Sequence, residues 1–211
     1  MEKELKLLAI NGSPRVHGNT STLIDAVIEG GRQENILSEK VNLALLNINP
    51  CIACYKCKRN GGCLHQDDFQ PLIEKIKSSD IIVFGTPVYW WGPTAQFKTF
   101  FDRFHGISSS GFLKDKYILL VIPFESKNKK TSAPTIEMIK NSVEYLGVKG
   151  FQSFPVPGVV NKGDAAELND VIMNAKKIGK SLKGKLNGAE SEKQSRETEI
   201  WIWESMLKQR L

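Results

Sequence analysis

A chain of 211 residues with 41% apolar composition is long enough to bury one large core. It holds no continuous apolar run near the roughly 18–20 residues that a membrane-spanning helix needs, so no membrane partner is expected. The net charge of +6 and pI of about 9.1 come from scattered lysines without a nucleic-acid motif, and are read as a solvated surface rather than a nucleic-acid footprint.

The opening stretch MEKELKLLAI mixes both charge signs and enters an apolar strand at once, unlike a signal peptide. A cytoplasmic protein is expected, with reduced thiols and no disulfide framework. Leu5 to Ile10 reads as a strand buried on both faces. Thr20 to Gly30 carries Leu23, Ile24, Val27 and Ile28 at helical spacing, and Gly30-Gly31 is expected to stop it. Val41 to Ile48 reads as the second strand, and Asp67 to Ser79 as a helix with acidic residues in its first turn. Ile81 to Tyr89 is the third strand, and Pro93 opens a helix to about Phe104. Tyr117 to Phe124 follows as a strand, Thr135 to Leu146 as a helix, Gln152 to Val156 as a short fifth strand and Asp164 to Leu182 as the last helix. Strand and helix alternating in this way predict a parallel sheet covered on both faces. Such sheets bind ligands at the carboxyl ends of their strands. The domain is expected over residues 1–187, with a cysteine-rich loop at 50–66. Residues 188–211, polar and then ending in IWIWESMLKQRL, are expected to form a linker and arm.

Two strand-end loops point to a ligand. In NGSPRVHGNTSTL, Gly12 and Gly18 allow close backbone approach, while Ser13, Asn19, Thr20, Ser21 and Thr22 supply donors. The helix that follows presents unpaired N–H groups at its positive end, which suits a phosphate. The loop is neither a Walker A motif nor a dinucleotide fingerprint. In GTPVYWWGPTAQFK, Pro87 fixes the backbone and Tyr89, Trp90 and Trp91 offer flat apolar surface that cannot all enter one core. A phosphate loop beside an aromatic shelf describes a site for flavin mononucleotide (FMN).

These two loops, with CIACYKCKRNGGCLHQDD between them and TFFDR closing the second, resemble the NADPH-dependent FMN reductase group, and within it the iron–sulfur flavoprotein family. The resemblance covers about Leu5 to Leu182. It implies an α/β flavodoxin-like fold: a doubly wound five-stranded parallel sheet of order 2-1-3-4-5, helices on both faces, with FMN at the switch point. It assigns the phosphate to Ser13, Arg15, Asn19, Thr20 and Ser21, and the isoalloxazine ring to Pro87, Val88, Tyr89 and Trp90. The third flavin loop of the family is often glycine-rich. Here it reads IPFESKNKKTSAP, without glycine, and only Ser126 is carried over.

All four cysteines stand between residues 51 and 63. The Cys-x2-Cys-x2-Cys run of Cys51, Cys54 and Cys57, closed by Cys63, suits a [4Fe–4S] cluster and matches the compact cysteine motif of iron–sulfur flavoproteins. Zinc prefers two cysteine pairs on a longer spacer, but it and free or redox-active thiols stay open. His65 is read either as an outer donor to a cluster or as a solvated loop histidine. Asp67-Asp68 are read as caps of the helix that follows, and Lys98, Asp102 and Arg103 as structural or subunit-facing charges. No Ser-His-Asp arrangement stands out, so no catalytic side chain is assigned and the chemistry belongs to the cofactors. The expected function is a flavin-dependent oxidoreductase passing electrons from a one-electron donor, such as a ferredoxin-like protein, through the cluster to FMN. The alternatives are a cluster-free NAD(P)H-dependent FMN or quinone reductase and a non-enzymatic redox-sensing module. The resemblance also implies a homodimer or homotetramer in which cluster and flavin meet across an interface.

Overall fold

Strands buried on both faces must divide their apolar side chains by parity, because successive residues point to opposite sides of the pleat. The computed structural model, which describes residues 3–59 and 62–188, shows this division. Five parallel strands, β1 (Lys6–Asn11), β2 (Leu37–Asn42), β3 (Ile81–Gly85), β4 (Tyr117–Phe124) and β5 (Gly150–Pro157), lie in the order β2-β1-β3-β4-β5, the flavodoxin-like order the resemblance implies. In the core strands, Leu7, Ala9, Ile81, Val83, Leu119 and Val121 face one layer, formed by α1 (Asn19–Arg32) and the later helix α7 (Asn169–Leu186). Leu8, Ile10, Ile82, Phe84, Ile118 and Leu120 face the other. That layer holds α3 (Phe69–Lys77), α4 (Ala95–Asp102) and α5 (Ala133–Tyr145). Short helices α2 (Lys56–Arg59) and α6 (Asp164–Glu167) complete the set. Among the described residues no helix is long and apolar enough to cross a membrane.

The second layer is dominated by phenylalanine. Phe84 on β3 meets Phe97, Phe100, Phe101 and Phe104, with ring centroids 5.5 to 6.4 Å apart. This cluster pins α4, and the 3₁₀ turns that follow it over Arg103–Ser110, against the sheet.

Several boundaries differ from those expected of the sequence. The second strand runs Leu37–Asn42, not Val41 to Ile48, where a 3₁₀ turn over Leu43–Leu45 intervenes. As an edge strand, β2 is held to the helices by charge: Lys40 bonds Asp25 and Ser21 of α1, and Glu39 pairs with Lys75 of α3. The apolar run that follows β2 belongs to the 3₁₀ turn and the segment beyond it, not to the strand. The third strand ends at Gly85, although Thr86 and Val88 still donate to Val121 and Pro123 along β4. The last helix is broken at Leu168 into α6 and α7. Apart from Gly188, the expected linker and arm of 188–211 lie outside the described residues.

Gly30 and Gly31 do not stop the first helix, which continues to Arg32. They serve packing instead. A Cβ on Gly30 would stand 2.0 Å from the carbonyl oxygen of Lys176, and one on Gly179 would stand 2.1 Å from that of Val27. Helices α1 and α7 thus cross backbone against backbone. Alanine normally favours a helix over glycine by about 1 kcal/mol. At Gly179 the sign is expected to reverse: Gly179→Ala should destabilise the fold by roughly 1–3 kcal/mol or more through overpacking, read as a lower denaturation midpoint. A neutral or stabilised variant would show that the helices can separate freely.

Candidate functional site

The carboxyl ends of β1 and β3 carry two loops tied together by backbone. Gly12 N donates to Gly85 O at 2.7 Å, and Thr94 Oγ1 donates to Gly12 O. Thr94 also caps α4, accepting from Phe97 N at 3.2 Å, while its own N donates to Thr86 Oγ1 at 3.1 Å. A Cβ at Gly12 would stand 2.8 Å from that of Phe97, so only glycine lets the first loop pass so close to α4. Asn11 is buried; its Oδ1 accepts from Ser13 N at 3.1 Å and its Nδ2 donates to Asn42 at 2.9 Å. The residue before α1 is Gly18, which offers no side-chain cap. The first-turn N–H groups of Asn19, Thr20 and Ser21 therefore have no acceptor within the helix and face the loop. Backbone donors of this kind suit an anion.

The side chains around these donors are largely engaged elsewhere. Asn19 donates to Asn161 O at 2.9 Å and accepts from the N–H of Gly163 and Ala165, fastening α1 to the segment after β5. Arg15 is exposed and reaches Val160 O at 3.5 Å. Ser21 accepts from Lys40 at 2.9 Å, and Thr20 is buried with its methyl under Gly85. Ser13 is buried, its hydroxyl oxygen accepting from Arg15 N at 3.1 Å. Ser126, after β4, accepts from Asn128 N at 3.0 Å and is half-buried beside the start of a 3₁₀ turn.

In the loop after β3, Pro87 and Val88 are half-buried. Tyr89 and Gly92 exchange backbone hydrogen bonds of 2.8 and 2.9 Å around Trp90 and Trp91, whose φ angles are +50° and +61°. Such a turn is left-handed at both corners, where glycine or asparagine is usual. Two tryptophans stand there instead, Trp90 with 92% of its surface exposed. Thr135 Oγ1 on α5 holds the turn through Trp91 O at 2.8 Å.

The cysteine loop lies against the far end of α4. Ala53 and Tyr55 take left-handed conformations (φ +53° and +57°), which coil the chain between the first three cysteines. Cys51, Cys54, Cys57 and Cys63 all line one cavity of about 290 Å³, walled by Phe69, Arg103 and Gly106 among others. A Cβ on Gly106 would stand 3.2 Å from Cys57 Sγ. Tyr55 packs edge-on to His105, and Lys58 reaches Ser108 at 3.0 Å, docking the loop on the 3₁₀ turns. His65 Nε2 is buried in the cavity wall and has no hydrogen-bond partner among the described residues. Among those residues no three His, Cys, Asp or Glu side chains converge closely enough to hold a single metal ion.

Below the cavity is a buried ion pair between residues 36 positions apart, expected of the sequence only separately, as a cap and as a structural or subunit-facing charge. Arg103 and Asp67 have side chains only 2% and 1% exposed. Arg103 Nη1 donates to Asp67 Oδ2 and to Asn49 O, each at 2.8 Å; Nη2 donates to Asp67 Oδ1 at 3.3 Å and to Cys63 Sγ at 3.2 Å. Its guanidinium carbon stands 4.5 Å from the centre of the Phe69 ring. Asp67 also accepts from the N–H of Asn49 and of Phe69, the first residue of α3. Asp68 is not the side-chain cap expected of it and accepts instead from Asn47 N at 2.7 Å. Lys98 and Asp102 do form an exposed pair, at 2.6 Å. Arg103, three residues after Phe100, borders the apolar face of α4, and that phase is the signal that could have turned it inward.

Residues 5–149 match the family described as NADPH-dependent FMN reductase. An iron–sulfur flavoprotein of Methanocaldococcus jannaschii is 36% identical over 137 residues, covering 65% of this chain and 70% of that protein. Another, from Archaeoglobus fulgidus, is 36% identical over 113 residues, covering 54% of this chain and 51% of that protein, so the chain spans about half of its length. Among solved structures, an NAD(P)H:quinone oxidoreductase from Methanothermobacter marburgensis superposes with a TM-score of 0.71 at 17% identity, covering 85% of this chain and 96% of that one; this likeness concerns the fold.

Burial pushes the Asp67 carboxyl up, but hydrogen bonds from Arg103 and from the N–H of Asn49 and Phe69 outweigh it and hold the group at about 2, below its ordinary 3.8. A depressed folded-state value means stability that is present above the ordinary value and lost as pH falls toward the folded one. Denaturant midpoints should therefore drop between about pH 4 and pH 2. The Asp67→Asn variant should be weaker at neutral pH and lose less across that window. Parallel curves for the two proteins would show that Asp67 does not carry the acid sensitivity.

Proposed function

We propose that this chain, a flavin-dependent oxidoreductase that belongs to the NADPH-dependent FMN reductase family and within it to the iron–sulfur flavoproteins, passes single electrons through a [4Fe–4S] cluster to FMN. The observation that carries this reading is the ring of all four cysteines around one cavity. A zinc ion draws its sulfurs to about 2.3 Å from one point, whereas a cubane distributes its thiolates over separate irons. Four cysteines spread along the lining of one cavity suit the second geometry. The left-handed coil at Ala53 and Tyr55, the bare face of Gly106 and the unpartnered Nε2 of His65 also fit such a group. Cys51, Cys54, Cys57 and Cys63 would hold it.

The backbone donors that open α1 suit the FMN phosphate, and their chemistry shifts the emphasis from side chains to backbone. The N–H groups of Asn19, Thr20 and Ser21, with Ser13, would hold the phosphate, and Arg15 would lie at its rim. Pro87, Val88, Tyr89 and Trp90 would flank the ring, with Ser126 contributing from the third loop. When bound, the flavin supplies exchange between one-electron and two-electron transfer. The donor is a ferredoxin-like carrier or NAD(P)H, in the reducing setting of a cytoplasm. A second copy of the chain would cover the tryptophan turn, giving a homodimer or homotetramer that brings cluster and flavin together, since an exposed aromatic patch of this kind marks an interaction surface.

A second reading rests on the exposure of Cys51 and Cys54. As free thiols, they leave a cluster-free NAD(P)H-dependent FMN or quinone reductase. Anaerobic purification should give about four iron and four acid-labile sulfide per FMN, and Cys54→Ala should lose the iron while keeping FMN. Stoichiometric FMN without iron, with full NADPH turnover, would establish the second reading instead. Replacing Trp90 and Trp91 by serine should shift the assembly toward monomers in light scattering and slow reduction of FMN by the cluster. A wild-type monomer with undiminished transfer would place the relay inside one subunit.

A further inference from the structure

The cluster reading leaves one polar group without a role: a buried guanidinium that touches Cys63 and no other cysteine. Among the described residues, Arg103 Nη2 is the side-chain donor to a cysteine sulfur, at 3.2 Å from Cys63 Sγ. We propose that Arg103 sets the reduction potential of the cluster, raising it through Cys63, and that Asp67 limits how far; this rests on the cluster reading.

The geometry leaves Arg103 little freedom to do anything else. Its Nη1 is shared between Asp67 and Asn49 O, and its Nη2 between Asp67 and the sulfur. The side chain is almost wholly removed from water, so its charge is screened far less than that of a surface arginine. A cluster that takes up one electron from a ferredoxin-like carrier forms and breaks no bond. It gains one negative charge, part of which falls on the cysteine sulfurs. A donor aimed at one of those sulfurs binds the reduced form more strongly than the oxidised form, and hydrogen bonds to ligand sulfurs are a recognised control on such potentials. Asp67 opposes this with its own negative charge while holding the fork in place. The two side chains therefore act in opposite directions on one equilibrium. Arg103 is a positioning residue: it touches a ligand of the cluster rather than the acceptor or the donor.

The placement has a second consequence. Arg103 directly follows α4, whose first turn is capped by Thr94 at the end of the flavin loop. A helix of eight residues, about 12 Å long, thus carries the edge of the flavin site at one end and the cluster's donor at the other.

The experiment is a potentiometric titration of the anaerobic holoprotein, followed by electron paramagnetic resonance, on wild type, the neutral double variant Arg103→Gln/Asp67→Asn, and Asp67→Asn alone. FMN content and circular dichroism confirm that each is folded. The double variant should lower the reduction equilibrium constant of the cluster about tenfold, a shift of about 59 mV for one electron. Asp67→Asn alone should shift it the opposite way. A merely structural role would move both in the same direction. A measurement on the wild type keeps the test independent of folding: protein grown on guanidinium-¹⁵N arginine should show nitrogen coupling to the reduced cluster in pulsed resonance spectra. Unshifted potentials with full cluster and FMN, shifts of one sign, or absence of that coupling would overturn this inference alone. Wild-type protein that binds FMN but no iron or sulfide would overturn the cluster reading and this inference together.

Discussion

One guanidinium closes the cysteine loop. Arg103 bonds the carbonyl of Asn49, where the chain enters the loop, and both Cys63 and Asp67, where it leaves. The segment it closes has few other anchors, the Tyr55–His105 and Lys58–Ser108 contacts among them: the six residues 51–56 are all exposed, and α2 is a single turn. Burying an ion pair is costly, and a pair of well-packed apolar side chains often stabilises as much or more. What the pair supplies here is direction. A guanidinium presents its donors in a fixed plane, so the loop entry, the loop exit and the start of α3 are held in one mutual arrangement. The phenylalanine layer beneath makes this possible, since it anchors the backbone of α4 and leaves Arg103 nowhere to turn but toward Asp67.

Much of this fold was legible because its strands are buried on both faces. The central strands read as unbroken apolar runs, and β4 was placed to the residue. Legibility failed where burial is partial or where polar groups satisfy one another. Strand β2 is an edge strand carrying Ser38, Glu39 and Lys40, and its partners are charges on helices that pattern reading cannot see. Asn19 and Ser21 look like phosphate ligands by position, yet their side chains bond the segment after β5 and Lys40. A sequence shows which donors a loop owns, not which acceptor each one meets. Arg103 was missed for a related reason. Charge argues for solvent, and only a carboxylate brought from a distant loop makes burial affordable.

The tryptophan turn shows the opposite case, in which local chemistry is overruled. Left-handed backbone at a bulky residue costs on the order of 1 kcal/mol or more, and two such residues stand side by side. The paired hydrogen bonds of Tyr89 and Gly92 and the anchor from Thr135 hold them there. The outcome is a rigid aromatic edge displayed outward from the end of β3. A flexible loop could present the same rings, but each contact would then cost side-chain and backbone entropy.

The crossing of α1 and α7 bears on the loop that leads into α1. Where two helices meet through side chains, their separation can adjust as residues enlarge or shrink by a methyl group. Gly30 and Gly179 leave no such cushion, because each faces a carbonyl of the opposite helix. The first turn of α1 is thus levelled by a helix crossing whose closest approach is main chain against main chain. Substitutions elsewhere on either helix repack the apolar layer around the crossing, while its closest approach stays set by Gly30 and Gly179. The position of the N–H groups that open α1 thus rests on a main-chain contact set within an apolar layer.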